Sequence, residues 1–170
     1  MIRFFAVISF ALCLQTRVVH SQPTLETGSR APEIKLPTPQ GDTVALSSLR
    51  GKLVLIDFWA SWCGPCVAEQ PHLASLYATY KNAEFTNGNG FEIYGVSFDS
   101  KKAAWLKQIE KNKITWTQVS DLKFWSSPVA KIYGLEEIPF NLLIDSQGII
   151  LAKNLHGEDL ALALERYKKF

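Results

Sequence analysis

The stretch Leu53-Val54-Leu55-Ile56-Asp57-Phe58-Trp59-Ala60-Ser61-Trp62-Cys63-Gly64-Pro65-Cys66 decides the fold. Its first seven residues form a near-continuous apolar run, the pattern of a central strand buried on both faces and hence of a sheet with helices on both sides. A helix should follow at once: over 66–80, Leu73, Leu76, Tyr77 and Tyr80 recur at helical spacing, and Pro71 is expected to bend it near its first turns. One residue interrupts the apolar run. A charged, unpaired carboxylate at Asp57 would be costly, so its pKa should rise, and an acid so placed is a candidate proton acceptor.

Upstream, 33–36 and 43–46 flank Pro37-Thr38-Pro39-Gln40-Gly41-Asp42 and read as a β-hairpin. Downstream, 82–90 reads as a polar loop, 91–98 as a second strand, and 101–111 as a helix with Ala104, Leu106 and Ile109 inward. A shorter helical turn is expected at 126–132, a hairpin from 140–144 and 149–153 around Asp145-Ser146-Gln147-Gly148, and an amphipathic helix at 158–167. The order ββ-βα-βα-(α)-ββα is that of an α/β sandwich. No repeat or second core is evident, so 22–170 counts as one domain.

Residues 1–21 read as a secretory signal peptide, cleaved before Gln22: Arg3 is the positive end, 4–14 the apolar run, and Val19-His20-Ser21 the cleavage region. The run is too short for a membrane span, which needs about 20 apolar residues. Leu12 stands where a lipid-attachment cysteine wants a small residue, so no lipid anchor is expected at Cys13, which leaves with the leader. The whole chain carries 18 Lys and Arg against 16 Asp and Glu, and losing Arg3 and Arg17 makes it neutral. Without a basic block it has no electrostatic reason to bind nucleic acid or an anionic membrane. At 47% apolar and 20% charged, it is not a disordered chain either.

The mature chain keeps two cysteines, Cys63 and Cys66, in a compartment that oxidises thiols. Three apart at a helix start, they can close a disulfide. Cys63 would face orphan N–H groups and the positive end of the helix dipole, which favour a thiolate, and is expected to be the sulfur that solvent reaches. Cys66, one turn in, should be shielded. A purely structural role is a poor fit, since a cross-link enclosing two residues removes little entropy from the unfolded chain. A metal site would need more ligands than the remaining His72 and His156 supply. Both histidines read as surface or packing residues without local partners. Glu69 lies on the same helical face as Cys66 and, by spacing alone, reads as a solvated first-turn glutamate. Ile138-Pro139 reads as a turn or strand edge.

Residues 56–66 resemble the active-site stretch of thioredoxin-like proteins, and Pro71 falls where the thioredoxin helix bends. More narrowly, Cys66-Val67-Ala68-Glu69-Gln70-Pro71, the hairpin ending in Leu49-Arg50-Gly51-Lys52, and the leader are similar to TlpA/ResA-like periplasmic thiol-disulfide oxidoreductases, over nearly all of 31–170. The resemblance implies a thioredoxin fold: a central mixed β-sheet flanked by helices, with an added N-terminal β-hairpin. It implies Cys63 as attacking nucleophile, Cys66 as resolving thiol, and Glu69 as a residue that tunes them. Trp62, Gly64, Pro65, Ile138 and Pro139 would contact substrate, with Ile138-Pro139 cis and the Ile138 backbone pairing with an extended segment. It further implies protein disulfide substrates, a membrane protein as electron donor, a bacterial periplasmic location, and a redox-active Cys63–Cys66 disulfide in place of any organic cofactor or metal.

Two positions depart from the pattern. Gly95 stands where thioredoxin has a lysine beside its buried acid, so Asp57 should have a higher pKa than its counterpart or share proton transfer with Glu69. Phe140 stands where a small polar residue is frequent. A copper-handling or non-catalytic binding protein using the Cys pair as ligands is the alternative. A thiol peroxidase would want a lone activated cysteine in its own loop, so poor peroxide turnover is expected.

Overall fold

The computed structural model describes residues 25–169; the leader at 1–21, with Cys13, lies outside the described residues. Strands β1 (Lys35–Pro37) and β2 (Thr43–Ala45) pair antiparallel as a hairpin in a sheet of their own. β3 (Leu53–Trp59) is buried at every residue, as its apolar run demands. It leads into helix α1 (Gly64–Tyr80), whose buried stripe is Cys66, Gln70, Leu73, Leu76 and Tyr80. Each Leu on that stripe contributes about 1.5–3 kcal/mol by leaving water. α1 runs unbroken through Pro71. Proline leaves the Val67 carbonyl without its helical donor, and the Asn112 side-chain amide approaches that oxygen at 3.5 Å.

The stretch expected as a polar loop folds into a two-stranded hairpin, β4 (Glu84–Phe85) and β5 (Gly88–Asn89). Then come β6 (Phe91–Ser97), α2 (Lys102–Lys111), β7 (Thr117–Val119), α3 (Pro128–Ile132), β8 (Phe140–Ile144), β9 (Ile150–Lys153) and α4 (Glu158–Tyr167). Five strands make the central sheet in the order β7-β6-β3-β8-β9. β3, β6 and β7 run parallel, whereas β8 is antiparallel to β3 and β9 to β8. The result is a mixed sheet flanked by helices, with the N-terminal hairpin set apart, the architecture the resemblance implies.

Two expectations are corrected. β7 has no counterpart in the sequence reading; three residues at a sheet edge are too short to show a period. In α2 the inward residue is Trp105, fully buried, while Ala104 and Leu106 are exposed and Ile109 is half-buried. The helix is rotated by about one residue because the indole offers the largest apolar surface to hide.

Between β7 and α3 the backbone takes an uncommon path. Leu122 and Phe124 adopt φ of 58° and 54°, the left-handed region, which costs L side chains roughly 1–3 kcal/mol each. The turn is pinned nonetheless. Asp121 accepts the Lys123 N–H (3.1 Å) and the Ser127 hydroxyl (2.8 Å), and Ser120 Oγ accepts the Leu122 N–H (3.0 Å).

The placement of α2 predicts that Trp105→Ala costs about 3–5 kcal/mol in urea unfolding. Leu106→Ser should stay within about 0.5 kcal/mol; equal costs would show that the helix face is wrongly assigned.

Candidate active site

Cys63 and Cys66 are joined by a disulfide at the N-terminus of α1. Cys63 is the N-cap residue, and its Sγ accepts the Cys66 backbone N–H at 3.2 Å, so one of the helix's orphan donors points at this sulfur. Pro65, in the first turn, has no N–H to orphan. The loop that delivers Cys63 is tied to the sheet by Asp99, which is 1% exposed. Asp99 accepts the Ser61 N–H (3.0 Å), the Ser61 hydroxyl (2.5 Å) and the Ser97 hydroxyl (2.8 Å).

Around the sulfurs, the Ile138–Pro139 bond is cis, and the Ile138 carbonyl oxygen lies 3.8 Å from Cys63 Sγ. Cys63 is more covered than its role in the sequence reading suggests: it is 5% exposed, against 2% for Cys66. Its side chain turns back onto the helix to cap it and bond Cys66, and Ile138 closes another side. Trp62, by contrast, is 49% exposed.

Asp57 lies midway along β3, the strand that leads into the cysteine loop, and is buried, with Oδ2 lacking a hydrogen-bond partner. Burial, reinforced by the negative charge of Glu69, raises its pKa from 3.8 to about 7, and a hydrogen bond from Gln70 opposes the rise. No cation stands across the strand: Asp57 is in register with Gly95 on β6 and Asn141 on β8. A Cβ at Gly95 would sit 2.2 Å from Gln118 Nε2, so a larger residue there would have to displace the end of the Gln118 side chain. The Gln118 side chain lies over this glycine and accepts the Trp59 indole N–H at 2.9 Å.

Glu69 is not a solvated first-turn residue. Its carboxylate meets His156 Nδ1 at 3.0 and 3.1 Å and the Gly157 N–H at 3.4 Å. His156 thus has a partner far off in the chain, and so does His72, whose Nε2 lies 3.0 Å from the Gly157 carbonyl oxygen. The His156 loop is fastened in turn by Asn141, which donates to the Leu155 carbonyl (2.8 Å) and accepts the Leu155 N–H (2.9 Å). Asp57, Glu69, Cys63, Cys66, Ile138 and Pro139 therefore belong to one assembly, in which Gln70, Asn141 and His156 were not foreseen. Gln70 had a signal: it is the one polar residue on the buried stripe of α1. His156 had none, since 87 residues separate it from Glu69.

A model of the AhpC/TSA family matches residues 27–153. The chain belongs to this family, among its thiol-disulfide oxidoreductases. Thiol-disulfide oxidoreductase ResA of Geobacillus kaustophilus is 30% identical over 158 residues, covering 91% of this chain and 86% of the relative. Among solved structures, the thioredoxin domain of a thiol-disulfide oxidoreductase from Bacteroides vulgatus is 38% identical with a TM-score of 0.76, covering 84% of this chain and 98% of that one. A thiol:disulfide interchange protein from Bacteroides sp. is 39% identical with a TM-score of 0.75, covering 84% and 90%.

For this oxidoreductase the raised pKa sets a pH dependence. Folding favours the protonated form of Asp57, so its stabilising effect is complete below pH 3.8 and is lost as pH climbs through about 7. Asp57→Asn should therefore gain stability over the wild type between pH 4 and pH 8, by up to roughly 4 kcal/mol in urea unfolding. Glu69→Gln, by removing the second cause, should move the midpoint of that change to lower pH. A difference that stays flat across the range would show that Asp57 is ordinarily acidic.

Proposed function

We propose that the chain reduces protein disulfides by dithiol–disulfide exchange, with Cys63 as nucleophile and Cys66 as resolving thiol. The observation that carries this reading is a Cys63–Cys66 disulfide capping α1, together with a buried protonatable acid, Asp57, that interacts with Glu69 and Gln70 of the same helix. In the dithiol form, the Cys66 N–H and the helix dipole stabilise a thiolate at Cys63. That thiolate attacks one sulfur of a client disulfide, forming a mixed disulfide and expelling the other client sulfur as thiolate. Cys66 then loses its proton to Asp57, directly or through water, and attacks Cys63 Sγ. The Cys63–Cys66 bond closes and the client leaves with its second thiolate, so two electrons have passed from protein to client. The Gln70 contact supports Asp57 as the acceptor, because Gln70 and Cys66 lie on the same buried stripe of α1. Glu69 tunes the transfer through its charge and is held by His156.

Reduction rather than oxidation is supported by the Gly64-Pro65 pair, which is that of thioredoxin; its potential is about −270 mV, against about −120 mV for the oxidant DsbA. Trp62, Gly64, Pro65, Ile138 and Pro139 border Cys63 and form the client's contact surface. The leader-like residues 1–21 and a lone Cys pair support work outside the cytoplasm, in a bacterial periplasm, with a membrane dithiol protein restoring the reduced form. The Cys pair serves as the redox centre without a further cofactor.

Cys66→Ser, incubated with disulfide-bearing proteins, should accumulate mixed disulfides visible as adducts on non-reducing gels, and Cys63→Ser should not. The reverse pattern would invert the two roles.

A further inference from the structure

The reaction fixes where a client must lie. In the mixed disulfide one client sulfur is bonded to Cys63 Sγ, so residues beside the client cysteine fall on whatever borders that atom. One border is the Ile138 carbonyl. The residue immediately before Cys63 is Trp62, half exposed, and against its ring lies Phe124, brought from the turn between β7 and α3. Their centroids are 5.2 Å apart, and Phe124 is 41% exposed. Behind Phe124, Trp125 meets it edge-on at 6.2 Å and stacks on the buried Phe98 at 5.1 Å, so the outer pair rests on a firm base.

Neither ring is explained by burial. Phe124 also holds φ of 54°, a conformation suited to glycine, while leaving much of a large apolar side chain in water. A bulky residue in a disfavoured backbone state, pinned by Asp121 and Ser127 and aimed at the tryptophan before the reactive cysteine, points to a binding duty.

We infer that Phe124 and Trp62 form an aromatic ledge beside Cys63 that receives a bulky apolar side chain next to the client's disulfide. The inference rests on the proposed reaction and narrows its substrate class to polypeptide disulfides with an apolar neighbour, as opposed to small polar disulfides. Trp62 takes one face of the incoming side chain and Phe124 sets the far edge, so Phe124 is a specificity residue and not a catalytic one.

The test uses two disulfide-linked peptides that differ only in Phe or Ser beside the cysteine. For the wild-type protein, kcat/KM should favour the Phe peptide by roughly five-fold, the scale of one aromatic contact. In Phe124→Gly, whose residue suits the backbone, the ratio should fall toward one. Leu162→Ser, at an exposed apolar residue on α4, should keep the wild-type ratio. Thermal melting separates docking from architecture: relief of the backbone and loss of ring contacts should nearly cancel, leaving Tm within a few degrees. A preference that survives in Phe124→Gly, or is missing from the wild type, overturns the ledge. So does a fall in Tm of more than about 10 °C, or a wild-type dimer that Phe124→Gly separates in sedimentation, which would give the ledge to a second copy of the chain. Failure of the reduced protein to reduce either peptide or oxidised glutathione would instead overturn the parent reading, and the ledge with it.

Discussion

A carboxyl group enclosed at the centre of the sheet, with no cation across from it, is the constraint around which the site is arranged. A charged Asp57 would forfeit its hydration without a compensating ion pair, so the folded protein favours its proton until near neutrality. Its neighbours modulate this preference. Gln70 supplies one hydrogen bond from α1, and Glu69 brings a negative charge near it. Glu69 is kept in place by His156, whose loop is fastened to β8 by Asn141. A carboxyl group poised near neutrality therefore emerges from several parts of the chain, none of which supplies it alone.

In front of that acid, backbone geometry does most of the work. The sulfur of Cys63 caps a helix and takes one of its unpaired N–H groups, which is where a thiolate is favoured. The short loop leading to it is anchored through Ser61 to Asp99 at the end of the parallel pair. A strand–loop–helix unit thus sets the cysteines, and on the proposed reading recognition falls to two segments outside that unit: the cis Ile138–Pro139 turn and the 121–127 turn.

Elements dominated by local pattern could be read from the sequence. The run at 53–59, the cysteines at the start of α1 and the closing helix each carry their own signal, and Asp57 stood out because the residues around it are apolar. What escaped was decided at a distance. The edge strand β7 has three residues and forms because β6 offers it an open edge. The choice of Trp105 over Leu106 depends on what lies beneath α2. The Glu69–His156 contact and the Trp62–Phe124 pair join segments that have no relation along the chain, and only the packed sheet brings them together.

The direction of electron flow is read most directly from the midpoint potential of the Cys63–Cys66 couple at pH 7, set against dithiothreitol buffers and followed by the fluorescence of Trp59 and Trp62. A protein built to donate electrons should titrate near thioredoxin's value of about −270 mV. A midpoint near about −120 mV, where strong oxidants lie, would contradict the assignment as a reductase.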